Sequence, residues 1–145
     1  MTIAERRRAK VEEFVKPQLE PGEQIVMTVS HVQTGPTPWF QALFGILFLF
    51  WVKYQALVLT DRRVLVIKKS MMSGRPRAID AAYPRNQVKV LDYREPKVWG
   101  KLTLDYGSGP VKLNVHRMNR EQAQQFIDAL GGVTAAASPP PPPTH

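Results

Sequence analysis

The sequence predicts a mainly β domain, a bent seven-stranded sheet or open barrel capped by a C-terminal α-helix and preceded by an N-terminal amphipathic helix. Three features of the 145-residue chain carry this reading. Seven short β-rich runs follow one another between residues 23 and 116, parted by turn-forming clusters. A single amphipathic stretch then closes the domain. Between the first two strands lies an apolar insertion, WFQALFGILFLFWV at 39–52, with one polar side chain (Gln41) and no charge.

In chain order, residues 2–16 have helical spacing: Thr2 and Glu5 stand at capping-box distance, Val11, Phe14 and Val15 share a face, and Pro17 stops the run. The default for such a helix is to pack that face on the domain and leave Arg6, Arg7, Arg8 and Lys10 to water. The period then changes to two, with a strand over 23–33 ended by GPTP at 35–38. Strands at 54–60 and 64–69 form a hairpin through Asp61, Arg62 and Arg63, and further strands are expected at 77–83, 87–93, 100–106 and 111–116. Gly107 to Pro110 supply the last turn. In the closing helix Asn119 is the expected cap, with Gln122 at the reciprocal position. Ala123, Phe126, Ile127 and Leu130 fall on one stripe, and Gly131 ends it. Seven antiparallel strands leave an open barrel end, and a helix with one apolar stripe is shaped to plug it. From Ala135 the chain reads AAASPPPPPTH, which favours polyproline II and has little to bury. The organisation expected is a helix over 1–19, a domain over 20–132 and a disordered proline-rich tail over 133–145.

The hairpin YQALVLTDRRVLVIKK at 54–69, the strand WGKLTLDYG at 99–107 and the helix EQAQQFIDALGG at 121–132 resemble the bacterial pleckstrin-homology-like family, small domains related in fold to eukaryotic PH and GRAM domains. The resemblance spans roughly residues 20–132 and implies a non-catalytic binding or scaffolding role. In lipid-binding eukaryotic relatives the loop between the first two strands carries basic residues that grip a phosphoinositide headgroup. Here that loop holds the apolar block, with Lys53 directly after it, so those family residues are not carried over.

The block sets the functional expectation. As a helix it would be about 21 Å long, short of the roughly 30 Å hydrocarbon core. Eleven of its fourteen residues are large and apolar, so it needs cover from protein, partner or lipid. Net charge is +8, and the window from Arg62 to Lys101 alone holds eleven basic residues against three acids. Such a field attracts polyanions. The primary reading is a peripheral module on anionic membrane lipids at the inner, cytoplasmic face of the cell membrane. Trp39, Phe40, Phe44, Leu47, Phe48, Phe50 and Trp51 would contact the membrane, and Lys53, Arg62, Arg63, Lys68, Lys69, Arg75 and Arg77 the headgroups. A second reading gives the block to a protein partner or homo-oligomer. A third is nucleic-acid binding, with Tyr83, Tyr93, Trp99 and Tyr106 interleaved among Arg85, Lys89, Arg94, Lys97 and Lys101 as a stacking platform. Catalysis is not expected: His31, His116 and His145 have no metal-ligand spacing, and neither a phosphate loop nor a nucleophile elbow is present. No cofactor is expected. The chain has no cysteine, hence no disulfide or thiolate metal site, and its basic start is followed by Glu12 and Glu13 rather than the apolar core of a secretory signal.

Overall fold

The structure, a computed structural model, describes residues 2–34, 53–70 and 73–133. The apolar block 39–52, with its seven candidate membrane-contact residues, and the proline-rich tail from 134 lie outside the described residues. Helix α1 (Ile3–Val15) opens with the expected capping box: Glu5 N–H donates to Thr2 Oγ1 at 3.1 Å and Thr2 N–H to Glu5 Oε2 at 3.0 Å. It runs into a 3-10 turn at Lys16–Gln18 that contains Pro17.

Seven strands follow: β1 (Ile25–Thr34), β2 (Lys53–Thr60), β3 (Arg63–Lys69), β4 (Pro76–Pro84), β5 (Lys89–Arg94), β6 (Trp99–Asp105) and β7 (Pro110–His116). They form one antiparallel sheet in the order β4-β3-β2-β1-β7-β6-β5. The sheet turns on β1. That strand pairs along its length with β2, whereas among the described residues it meets β7 at one rung, Gln33 with Asn114. A bulge between Val29 and Val32 marks where β1 bends away.

Helix α2 (Arg120–Ala129) fills the concavity, with Ala123, Phe126 and Ile127 buried against Val29, Leu57, Leu59, Leu102, Leu104 and Leu113. Gly131, at φ +96°, ends it, donating its N–H to the Asp128 carbonyl while Gly132 donates to Ile127. The N-terminus departs from expectation. Asn119 and Gln122 make no capping box, because both side chains are drawn into the interior by β1, and the chain enters α2 through a 3-10 turn at Arg117–Asn119.

Half-buried strands would alternate, yet β2 is buried continuously from Gln55 to Thr60 and β3 from Val64 to Ile67. The cause is α1. Leu57, Leu59, Val64 and Val66 face the barrel core, and Ala56, Val58, Leu65 and Ile67 face outward onto Val11, Val15 and the half-buried Phe14 of α1. The helix therefore packs its apolar side on the sheet, as expected, and Arg6, Arg7 and Lys10 stay exposed.

Two substitutions test this packing. Phe126→Ala should cost about 3–5 kcal/mol in urea unfolding, as for other large aromatic deletions in cores. Gly100 is buried in β6 against the β5–β6 connection, where a Cβ would fall 2.2 Å from the Arg94 carbonyl oxygen and 2.7 Å from Pro96 N. Gly100→Ala should cost about 1–3 kcal/mol, since the obstacle is backbone that has to move. A value near zero would mean that the connection gives way freely.

Candidate functional site

The seven candidate headgroup residues fall into three groups. Lys53 begins β2 opposite Thr34, Lys68 pairs one step away through Gln55, and Arg75 and Arg77 flank Pro76, which pairs with Lys69. Lys53, Lys68, Arg75 and Arg77 are all exposed. They form a basic rim at the end of the sheet that carries the connection 35–52. Among the described residues none of the four has an ion pair or side-chain hydrogen bond to an acid.

Arg62 and Arg63 lie at the opposite end of the same hairpin, about 25 Å away along β2. There they are committed to structure. Arg62 Nη1 is 3.3 Å from Glu20 Oε2, and Arg63 holds Glu23 through Nε to Oε2 and Nη2 to Oε1, both at 2.9 Å. Thr60 Oγ1 adds a 2.6 Å hydrogen bond to Glu23, whose side chain is fully covered. The guanidinium beside it, opposed by burial and helped by Thr60 and the Glu20 N–H, holds the Glu23 carboxyl down to about 2. The same pairing raises Arg63.

Lys69 is buried under α1. Only 4% exposed, it crosses β2 to reach the bulge of β1, donating to the Ser30 carbonyl at 2.8 Å and to His31 Nδ1 at 3.2 Å. Ser30 is saturated in turn. Its N–H and Oγ donate to Gln122 Oε1, both at 3.0 Å, and its Oγ accepts from Asn119 Nδ2 at 2.8 Å. Gln122 Nε2 continues to the Ala4 carbonyl of α1 at 3.2 Å. Because His31 Nδ1 accepts, its ring is neutral with the proton on Nε2. Burial, then the positive charges of Lys69 and Arg7, hold it down to about 3. Burial and Arg7 bring Lys69 down to about 8. Sequence reasoning missed this knot, because Ser30, Asn119 and Gln122 meet only through a bulge and two helices.

The aromatic platform of the nucleic-acid reading turns inward as well. Tyr83 stacks on the buried Tyr106 with ring centroids 4.5 Å apart, and Tyr93 packs on the barrel core. Burial raises the hydroxyls of Tyr93 and Tyr106. Trp99 stands edge-on to His116. The faces with which Tyr83 and Tyr106 meet are thus taken up by each other. Among the described residues no three His, Asp or Glu side chains cluster as a metal site, and no helix is long and apolar enough to cross a membrane.

A family model described as bacterial PH domain matches residues 19–131, more than half of the chain. The chain belongs to that family, and its seven antiparallel strands with a C-terminal helix are consistent with the PH-like fold. Membership supports a binding module. Helix α1 precedes the matched region. No curated protein matches the chain.

The Glu23 anchor has a defined acid signature. A carboxyl lowered on folding contributes stability that is complete above its ordinary value of 4.5 and is lost as pH falls toward about 2. Glu23→Gln should cost about 2–3 kcal/mol at neutral pH, the scale of hydrogen bonds to a charged group. The gap from the parent protein in chemical denaturation should close between pH 4.5 and 2. A pH-independent gap would refute the assignment.

Proposed function

We propose that the protein is a peripheral membrane-docking PH domain whose apolar segment 39–52 enters the interface of the cytoplasmic leaflet while Lys53, Lys68, Arg75 and Arg77 contact anionic headgroups. The observation that carries this reading is the position of the rim. Four exposed cations, free of acidic partners among the described residues, surround the base of the connection that bears the apolar segment. A second argument is cover. Both faces of β2 and β3 are already taken, one by the barrel core and one by α1, so these strands offer no further apolar face for the segment.

Magnitudes assign the roles. Burying four large apolar side chains is worth roughly 6–12 kcal/mol gross, at about 1.5–3 each. Each rim cation adds on the order of 1 kcal/mol toward an anionic surface. Insertion would hold the protein and charge would orient it. Arg62 and Arg63 do not join the contact in this reading, being ion-paired at the far end of the hairpin.

Flotation with vesicles containing phosphatidylglycerol separates the contributions. Replacing Phe44, Leu47, Phe48 and Phe50 with Ser should abolish co-flotation. Changing Lys53, Lys68, Arg75 and Arg77 to Glu should weaken it tenfold or more, at about 1 kcal/mol per cation, and Arg62→Glu should leave it unchanged. Binding that survives the Ser variant would remove the membrane reading. If that variant instead converts a dimer to a monomer by light scattering, the segment belongs to a second copy.

A further inference from the structure

Helix α1 lies outside the matched family residues, and its docking leaves one flank turned outward beside the rim. Three contacts fix how it lies. Gln122 Nε2 holds the Ala4 carbonyl at 3.2 Å, which sets the first turn over Ser30 and the Lys69 end of β3. Just past the other end of the helix, Arg63 Nη2 reaches the Gln18 carbonyl at 3.4 Å. Between them Glu12 accepts from Thr28 Oγ1 at 3.1 Å and pairs with Arg8 at 3.4 Å, so the Arg8–Glu12 flank faces β1. At about 3.6 residues per turn, Ile3, Arg7, Lys10 and Phe14 share the opposite flank. That flank looks toward β4, which α1 also touches, and Phe14 and Ile79 of β4 both pack on the apolar cluster beneath the helix.

The flank is basic and unopposed. Arg6, beside it on the helix surface, Arg7 and Lys10 are exposed, and among the described residues none of the three pairs with an acid. Of the acids of the helix, Glu5 is closed into the capping box, Glu12 faces β1, and Glu13 stands at the margin of the stripe. Ile3 is 55% exposed at its head. Because Pro76 pairs with Lys69, β4 starts at the end of the sheet over which the first turn of α1 sits, and it brings Arg75 and Arg77 of the rim with it. We propose that Ile3, Arg6, Arg7 and Lys10 form a second contact with the anionic membrane, so that the domain docks leaning on α1 and β4 with its strands oblique to the bilayer. The occupant is a lipid surface because cations sharing one stripe with an apolar side chain are the composition of an interfacial helix, and because the stripe runs on into the rim. The inference rests on the membrane reading and gives it a second point of contact.

The chain has no cysteine, so a single introduced thiol can carry an environment-sensitive fluorophore in the full-length protein. A label at Ile3→Cys should brighten and shift to the blue on vesicles containing phosphatidylglycerol, and nitroxide-bearing lipid should quench it. A label at Asn86→Cys, exposed at the hairpin end, should stay in water. In flotation, Arg6→Gln, Arg7→Gln and Lys10→Gln together should weaken binding tenfold or more while leaving Tm unchanged, since none of these side chains is ion-paired. Arg7→Gln alone should weaken it measurably. Arg8→Gln, one position along but on the β1 flank, should change it by no more than about twofold. The inference is overturned if the parent floats while the Ile3 label stays in water, or if the triple variant binds like the parent; the membrane reading then stands without it. Equal losses for Arg7→Gln and Arg8→Gln would also overturn it, making net charge and not placement the cause. If the parent does not float at all, both readings fall. If replacing Phe44, Leu47, Phe48 and Phe50 with Ser leaves flotation intact and the triple variant abolishes it, the apolar segment is not the anchor and the α1 contact stands by itself.

Discussion

Ser30 is where the two helices and strands β1 and β3 are tied together. The β1 bulge turns its N–H, hydroxyl and carbonyl away from regular pairing, and two other parts of the chain take them up: Gln122 and Asn119 at the entry to α2 hold the N–H and hydroxyl, and Lys69 at the end of β3 holds the carbonyl. Through Gln122 the same network reaches the Ala4 carbonyl of α1. Buried polar groups are costly when half satisfied and rigidifying when complete. Here the main-chain and side-chain groups of Ser30 are all engaged, so the bend of β1, the docking of α1 and the angle of α2 are set by one set of bonds. The lost capping box at Asn119 follows directly, since its amide cannot serve both ends.

That constraint sorts the positive charge. With α1 held over β2 and β3, the outer face of the hairpin becomes core, and a lysine aligned with Leu65 and Ile67 must go under the helix. Lys68, one residue earlier, points to the other side and remains exposed. At the far end Glu23 and Glu20 bring Arg63 and Arg62 into the scaffold. The +8 of the chain is thus less uniform than its sequence suggests: part of it holds the fold together, and another part, Lys53, Lys68, Arg75 and Arg77, stands exposed at the β1–β2 end.

Local signals were legible in the sequence and distant ones were not. The seven strands and both helices lie within a residue or two of the spans that periodicity and turn chemistry predict, because alternation, Thr2 with Glu5, Gly107 with Gly109 and Gly131 act over a few positions. The continuous burial of β2 was hidden, since nothing in YQALVLT says that a helix from residues 3–15 will cover its second face. The same holds for the candidate site. Lys68 and Lys69 read as a matched pair, and which one faces solvent is decided by α1. Arg63 finds Glu23 forty positions away. The tyrosines interleaved with basic residues looked like a stacking surface, but in an open sheet curled around α2 the alternate positions point to the core, and Tyr106 follows Leu102 and Leu104 inside.

The fold also sets apart the two ends of the sheet. Arg85 ties the C-terminal end of α2 to the β2–β3 hairpin, donating to the Ala129 carbonyl at 2.7 Å while its own N–H bonds the Arg62 carbonyl at 3.0 Å. The described chain ends nearby, where Val133 bridges Val90 of β5. The exit of the proline-rich segment therefore lies at the hairpin end of the sheet, with the basic rim at the other. In the membrane reading the rim faces lipid, so that segment starts on the side turned to solvent. The two unusual sequences of this protein, one oily and one proline-rich, are thus joined to the described domain at opposite ends of the sheet.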